Sequence, residues 1–110
     1  MGIRTIRYDK LVRDRIPEII ESDGKTAEIE ILDDREYRRC LDEKLGEELN
    51  EYLESGKLEE LADIMEVIYA LVDLEGTSRD EFERIRAEKE ADRGGFRKRF
   101  FLKEVRIEDK

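Results

Sequence analysis

The sequence predicts a mainly α-helical fold, a hairpin or bundle of about four helices with a small β-addition. Apolar residues recur at three- and four-residue spacing in four segments, which is the period of an amphipathic helix. Glycine- and serine-containing breaks separate these segments. The β-addition is predicted from two short segments near 26–32 and 96–105. With 110 residues, the chain is expected to form a single domain over 1–110.

The first third of the chain contains an arm, a helix and a strand in this prediction. Residues 1–9 show no regular pattern and are expected to be irregular or extended. Residues 10–22 carry helical spacing, although Pro17 within them predicts a break or a restart of the helix. Alternation of apolar and acidic residues over 26–32 predicts a short, half-buried strand.

The central part of the chain predicts two longer helices. Asp33 or Asp34 is placed to cap the first of them, which extends to about Glu54. A break at 55–57 separates it from the most apolar helix, over 58–74.

A fourth helix follows a second break. Ser78 with Glu81 three residues later forms the pattern of a capping box. The helix extends to about Arg93 and ends at Gly94 and Gly95. The following segment, 96–105, is strand-like, and the two predicted strands could pair.

Composition excludes several classes of function. The 31 acidic and 22 basic residues give a net charge of −9, which argues against a nucleic-acid partner. There is no histidine and one cysteine, so imidazole-based catalysis and a conventional zinc site are excluded. Any metal must be bound by oxygen ligands, as magnesium, manganese and calcium are. No apolar run approaches the ~18 residues of a membrane span, and no signal core is visible, so we expect a cytoplasmic protein.

Two pairs of acidic residues face each other across the predicted helical hairpin. Glu48 and Glu51 are three residues apart on one helix, and Glu60 and Asp63 are three apart on the next. Residues at this spacing are neighbours on a helix surface. Glu48 and Asp63 are equidistant from the intervening turn, and so are Glu51 and Glu60. An antiparallel hairpin therefore brings the two pairs together.

Such a convergence needs a positive charge. Glu48 falls within the apolar stripe of its helix, and Asp63 interrupts an apolar run, where a lone carboxylate is costly. No basic residue lies between Lys44 and Lys57, or between Lys57 and Arg79. The hairpin itself is therefore not expected to supply the cation, which favours a metal site. The alternative is a solvated acidic face whose residues pair with basic groups elsewhere.

Four segments of the chain resemble a known family. GEELNE (46–51) and EELADIM (59–65) are similar to the Glu-x-x-Glu and Glu-x-x-Asp motifs of the all-alpha nucleoside triphosphate pyrophosphatases, the MazG-like superfamily. YDKLVRDRIP (8–17) and RGGF (93–96) resemble a small branch of predicted house-cleaning enzymes, related to phosphoribosyl-ATP pyrophosphohydrolase. Only eight residues separate Glu51 from Glu60, fewer than in many members.

The resemblance implies that the whole chain is one all-alpha pyrophosphatase-like domain and that Glu48, Glu51, Glu60 and Asp63 bind Mg²⁺, with Mn²⁺ as an alternative. It implies hydrolysis of a nucleoside triphosphate, including non-canonical ones, to the monophosphate and pyrophosphate. Water would attack the α-phosphorus, with Glu48 and Glu51 as the catalytic carboxylates and Glu51 as the proton acceptor. Two alternatives remain: hydrolysis of phosphoribosyl-ATP, and a non-catalytic helical module that senses nucleotides or metal ions.

Several basic residues are candidates for binding substrate phosphates. They are Lys10, Arg13, Lys44, Arg93 and Lys98. Each also has a structural explanation. The first two can pair with acids such as Asp14 and Glu18, Lys44 can pair with Glu47 or Glu48, and Gly94 with Gly95 can simply end a helix. The long apolar stripes of the two central helices further predict a homodimer or a larger homo-oligomer.

Overall fold

A computed structural model describes residues 2–109. It contains four helices in chain order: α1 (Ile16–Ser22), α2 (Asp34–Ser55), α3 (Leu58–Leu74) and α4 (Arg79–Arg93). The mainly α-helical prediction is confirmed. The chain divides into two compact units, Met1–Thr77 with α1 to α3, and Ser78–Lys110 with α4.

Local sequence signals set the ends of the long helices. The Asp33 side chain accepts a hydrogen bond from the Glu36 backbone N–H at 2.9 Å and begins α2, which ends at Gly56 in the left-handed conformation (φ 66°). Only glycine adopts this conformation without a steric cost. Ser78 begins α4 in the same way, accepting from the Glu81 N–H at 3.1 Å.

The two long helices form the predicted antiparallel hairpin. Gly56 and Lys57 alone separate α2 from α3, and the helices pack along their lengths. The buried apolar core between them is small. Its members are Leu41, Val67 and Val72.

The first helix is shorter than the sequence predicts. Only Ile16–Ser22 is helical, and Pro17 lies in its first turn. Backbone N–H groups in the first turn have no partner within the helix, so the missing N–H of Pro17 costs no hydrogen bond. Residues 10–15 therefore extend the irregular segment that precedes the helix. We call residues 2–15 the N-terminal arm.

The prediction of two strands is wrong for the described residues, none of which forms a strand. Alternation creates one apolar face, but a strand also needs a neighbouring strand to satisfy its backbone groups. In the first segment, Ile29 and Ile31 are exposed, so this face covers no core. In the second, Phe100 and Phe101 are exposed as well.

Part of each apolar stripe is exposed on the hairpin. We call these side chains the apolar face of the hairpin: Leu49, Leu53, Leu58, Leu61 and Met65. Their exposed fractions range from 38% to 81%. Among the described residues, no helix combines the length and the apolar character that a bilayer crossing requires.

Candidate metal centre

Five carboxylates converge on one side of the hairpin. Helix α2 contributes three of them and α3 contributes two. We call this set the carboxylate cluster: Glu47, Glu48, Glu51, Glu60 and Asp63. Helical spacing positions them, because residues three apart lie on adjacent turns of the same face.

The cluster consists of two overlapping groups. One carboxylate oxygen each from Glu48, Glu60 and Asp63 lies within 4.8 Å of the others. Glu47, Glu48 and Glu51 form the second group at the same separation. The structure thus brings the two helices together at Glu48, as the spacing predicted. Glu51 groups with its own helix rather than with Glu60.

Glu48 is the buried centre of the cluster. It is 7% exposed, and its Oε1 lies 3.3 Å from Lys44 Nζ. Its Oε2 is buried and has no hydrogen-bond partner among the described residues. Burial, together with Glu51 and Asp63, raises the pKa of this carboxyl against the opposing effect of Lys44. An unpaired buried carboxylate oxygen of this kind is costly unless a cation or water satisfies it.

The pKa of the neighbouring carboxyls shifts in opposite directions. The pKa of Glu60 is raised by desolvation and by hydrogen bonding and repulsion from Asp63. Desolvation also raises the pKa of Glu47, but the cations Lys10 and Lys44 outweigh it and lower the pKa overall. The cations therefore offset the repulsion at Glu47, whereas burial and neighbouring carboxylates still disfavour the charged forms of Glu48 and Glu60.

The N-terminal arm supplies two basic side chains to the cluster. Lys10 Nζ donates to Glu47 Oε1 at 3.2 Å, and Arg13 Nη2 donates to Asp63 Oδ1 at 2.6 Å. Lys44 contacts Glu47 as well, at 3.5 Å. Arg13 and Lys44, predicted to bind phosphate, thus contact the predicted metal ligands Asp63 and Glu48, whereas Lys10 contacts Glu47 beside them.

Sequence reasoning missed both of these long-range ion pairs. The partners are 37 and 50 residues apart, so no local spacing could reveal them. The expectation that the hairpin supplies no cation needs correction, since Lys44, at its edge, contacts Glu48. The pairing of Lys44 with Glu47 and Glu48, one turn away, was predicted from spacing and is confirmed. Glu47 was not among the predicted site residues. Its position beside Glu48 and one turn after Lys44 was the available signal.

A cavity of about 460 Å³ adjoins the cluster. Its walls come from the arm, α1, α2 and α3, all within the first unit. Glu48, Asp63, Arg13 and Lys44 line it, together with several apolar side chains. Its size and its mixture of apolar walls with a few polar groups are typical of small-molecule sites.

The other two predicted phosphate ligands belong to the second unit. Arg93 is the last residue of α4, and its Nε lies 4.0 Å from Asp92. Lys98 Nζ lies 5.8 Å above the Phe100 ring. Their role in binding phosphate stays a prediction.

The donor set of the cluster matches hard divalent cations. Carboxylate oxygens are the ligands of Mg²⁺, Mn²⁺ and Ca²⁺. The orphaned Glu48 Oε2 supplies a position that such an ion would satisfy, and one carboxylate oxygen of Glu48 lies within 4.8 Å of an oxygen from Glu60 and one from Asp63. These residues therefore fit a divalent cation.

Comparisons with known proteins add one partial relative. No family model matches the chain, and no solved structure matches it. A protein of Mycolicibacterium smegmatis (strain ATCC 700084 / mc(2)155), described only as uncharacterized, is 55% identical over 42 residues. The match spans 38% of this chain and 43% of the relative.

Proposed function

We propose that the protein is a magnesium-dependent nucleoside triphosphate pyrophosphohydrolase. The observation that carries the proposal is the buried Glu48 with an unpartnered oxygen, in reach of Glu60 and Asp63 from the facing helix. The basic residues beside the cluster and the adjoining cavity support a phosphorylated small molecule as the substrate. The motif resemblance to the MazG-like superfamily supports the same reaction.

The cluster residues divide the work of binding and proton transfer. Glu48, Glu60 and Asp63 would hold Mg²⁺, which when bound neutralises the triphosphate and acidifies water. Glu51, exposed at the edge of the cluster, would accept the proton of the attacking water. The water oxygen bonds to the α-phosphorus, the bridge to the β-phosphorus breaks, and pyrophosphate leaves with the electron pair of that bond.

The basic side chains would bind the triphosphate itself. Arg13 and Lys10 contact the cluster from the arm, and Lys44 contacts it from α2. Their present partners are carboxylates, so a phosphate would compete for the same donors. Phosphoryl transfer depends mainly on positioning and charge stabilisation, and this arrangement needs no histidine or cysteine.

We also propose that two copies of the chain associate through the apolar face of the hairpin. Contiguous exposed apolar surface on a small protein is typical of an interaction site. We place the protein in the cytoplasm on the basis of its composition. Sedimentation showing only a 13.1 kDa particle at micromolar concentration would contradict the association.

A substrate panel tests the proposed reaction. The protein, supplied with Mg²⁺, is incubated with normal, deoxy and damaged nucleoside triphosphates and with phosphoribosyl-ATP, and both products are measured. We expect pyrophosphate and monophosphate in equal amounts, lost in Glu48→Gln and retained in the matched control Glu88→Gln on α4. Turnover of phosphoribosyl-ATP alone would assign the narrower reaction.

Absence of turnover across the panel would contradict the proposal. A non-catalytic sensing module would then be the better explanation if Mg²⁺ still raises the melting temperature of the parent but not of Glu48→Gln. A ligand that binds only the folded state has this effect by mass action.

A further inference from the structure

The cavity beside the carboxylate cluster extends well beyond it along α2. Tyr37, Leu41, Lys44 and Glu48 all line the cavity, on one face of that helix. Glu48 is eleven positions after Tyr37, which corresponds to about 16 Å of helix. A ligand held at the cluster can therefore place a second, chemically different part at the Tyr37 end.

The two ends of the cavity differ in charge. Arg13 and Lys44 at the cluster end attract phosphate. Asp14 lies toward the other end, where its charge acts on Tyr37, and none of the ion pairs among residues 2–109 includes it. Its neighbour Arg15 also lines the cavity but pairs with Glu18.

Glu48 and Asp63 also line the cluster end, so that end attracts phosphate once it holds the divalent cation of the proposed function, whereas the Asp14 carboxylate repels phosphate. A nucleotide is then oriented with its phosphates at the cluster and its base toward Asp14.

Tyr37 lies beside Asp14 at this end. Burial, then the charges of Asp14 and Asp73, raises the pKa of the Tyr37 phenol, so its hydroxyl keeps its proton. The end of the cavity thus offers a carboxylate that only accepts hydrogen bonds and a hydroxyl that can donate one.

Apolar side chains occupy the stretch between the two ends. They include Val12 and Ile16 from the arm and α1, and Leu41, Val67 and Ala70 from the hairpin. Such walls suit the faces of a planar heterocycle, while the polar groups at the end contact its edge.

We infer that the cavity selects nucleoside triphosphates whose base carries an exocyclic amino group next to an unprotonated ring nitrogen, as cytosine and adenine do. Asp14 accepts from the amino group, and the Tyr37 hydroxyl donates to the ring nitrogen. This inference rests on the proposed function.

Deaminated bases present the reverse pattern. Uracil and hypoxanthine carry a carbonyl in place of the amino group and an N–H in place of the ring acceptor. The carbonyl then faces the Asp14 carboxylate, which loses its hydrogen bond, whereas the Tyr37 hydroxyl can rotate to accept from the ring N–H. The discrimination therefore comes from Asp14. Discrimination by a paired contact of this type amounts to about 10- to 100-fold.

Matched substrate pairs test the inference. We compare kcat/KM for CTP against UTP and for ATP against inosine triphosphate, with Mg²⁺ present. We expect the parent to prefer the amino-bearing member at least about tenfold. In Asp14→Asn this ratio is expected to fall toward one, because the amide can donate to the carbonyl of UTP.

Two further variants control the comparison. Asp23→Asn makes the same chemical change at an exposed residue that follows α1 and does not line the cavity, and it should keep the parental ratio. Tyr37→Phe removes a hydroxyl that can donate to one member of a pair and accept from the other, so it should lower kcat/KM for both members and keep most of the ratio. Circular dichroism and thermal unfolding establish that each variant is folded.

The outcomes separate this inference from the proposed function. Hydrolysis of both members of a pair at equal rates, or a ratio that Asp14→Asn does not change, would overturn the base selectivity and leave the reaction in place. If no triphosphate is hydrolysed, the proposed reaction is contradicted. Binding of the α,β-methylene analogues of CTP and UTP then tests the base selectivity on its own. Tighter, Asp14-dependent binding of the CTP analogue supports the selectivity, whereas equal or absent binding overturns it.

Discussion

Helix α4 and the α2–α3 hairpin are both rich in acidic residues, but they balance this charge differently. Two arginines on α4 pair with four glutamates of the same helix, at three- and four-residue spacing. These pairs join Arg84 to Glu81 and Glu88, and Arg86 to Glu83 and Glu90. Between Lys44 and Asp73 there are nine acidic and two basic residues, and distant arm residues supply further counter-charge.

This difference shows that acidic density alone does not indicate a metal site. On α4 the carboxylates are exposed and have basic partners on their own helix, so an added cation would gain little. In the hairpin, Glu48 is buried with an unsatisfied oxygen, and carboxylates from two helices share one space. The hairpin therefore combines the features that make cation binding favourable.

The largest expected effect comes from removing one ligand of the cluster. Asp63→Asn keeps the shape of the side chain but removes its charge, so we expect the rate of pyrophosphate release to fall at least about 100-fold. Helix content by circular dichroism should not change. The same substitution on α4, Asp92→Asn, should leave the rate unaltered. If Asp63→Asn releases pyrophosphate at more than about a tenth of the parental rate, Asp63 is not a ligand of the catalytic metal ion.

Magnesium should stabilise the protein through the hairpin. At 100 times its Kd, a ligand specific for the folded state adds about 2.7 kcal/mol to the free energy of unfolding. We expect a rise of several degrees in the melting temperature of the parent and of Glu83→Gln, a control on α4. Glu48→Gln should show no rise. An equal rise in all three proteins would place the ion elsewhere.

Arg13 should compete with the cation for Asp63. Arg13→Gln removes the guanidinium from Asp63 Oδ1, so we expect the Kd for Mg²⁺ to decrease about two- to fivefold, as suits a partly exposed ion pair. The KM for the triphosphate should increase, because a phosphate ligand is lost. Calorimetric titration and initial rates measure the two effects. Arg84→Gln on α4 should change neither, and weaker Mg²⁺ binding in Arg13→Gln would contradict the competition.

The smallest expected effect is a difference in pH dependence between the two regions. The pKa of Glu48 is raised, so the metal-free folded state binds this proton more tightly than the unfolded state does. As the pH falls through this raised pKa toward the usual glutamate value of 4.5, Glu48 contributes increasing stability. The pKa of Glu83 on α4 is lowered by its hydrogen bond with Arg86. Glu83 therefore stabilises the folded state above the usual glutamate pKa of 4.5, and this stabilisation is lost as the pH falls below 4.5.

Urea unfolding in the presence of a chelator measures this difference between pH 7 and pH 4. The free energy of unfolding that Glu48 contributes on acidification should be missing in Glu48→Gln. It should be present in both the parent and Glu83→Gln. If the free energy of unfolding depends on pH in the same way in Glu48→Gln and in the parent, the pKa of Glu48 is not raised in the folded state.

The sequence was sufficient for the elements whose signals are local. The bounds of α3, the capping of α4 by Ser78 and the turn at Gly56 all follow from helical period and backbone chemistry. The facing of Glu48 and Asp63 follows from the same turn, because a short connection fixes the register of an antiparallel hairpin.

The features that the sequence could not predict depend on distant parts of the chain. Alternation over 26–32 predicted a strand, but the segment lacks a neighbouring strand in the described structure. The contacts of Lys10 and Arg13 with the cluster depend on the path of an arm without regular structure. Composition shows that such charges need partners, whereas only the fold determines which partners they meet.

The most direct test of the central claim is phosphorus NMR of the products formed in ¹⁸O-labelled water with Mg²⁺. We expect monophosphate and pyrophosphate, with the label on the monophosphate, because water attacks the α-phosphorus at the carboxylate cluster. Glu48→Gln should form neither product. Label in pyrophosphate, or formation of diphosphate and inorganic phosphate, would contradict the proposed reaction.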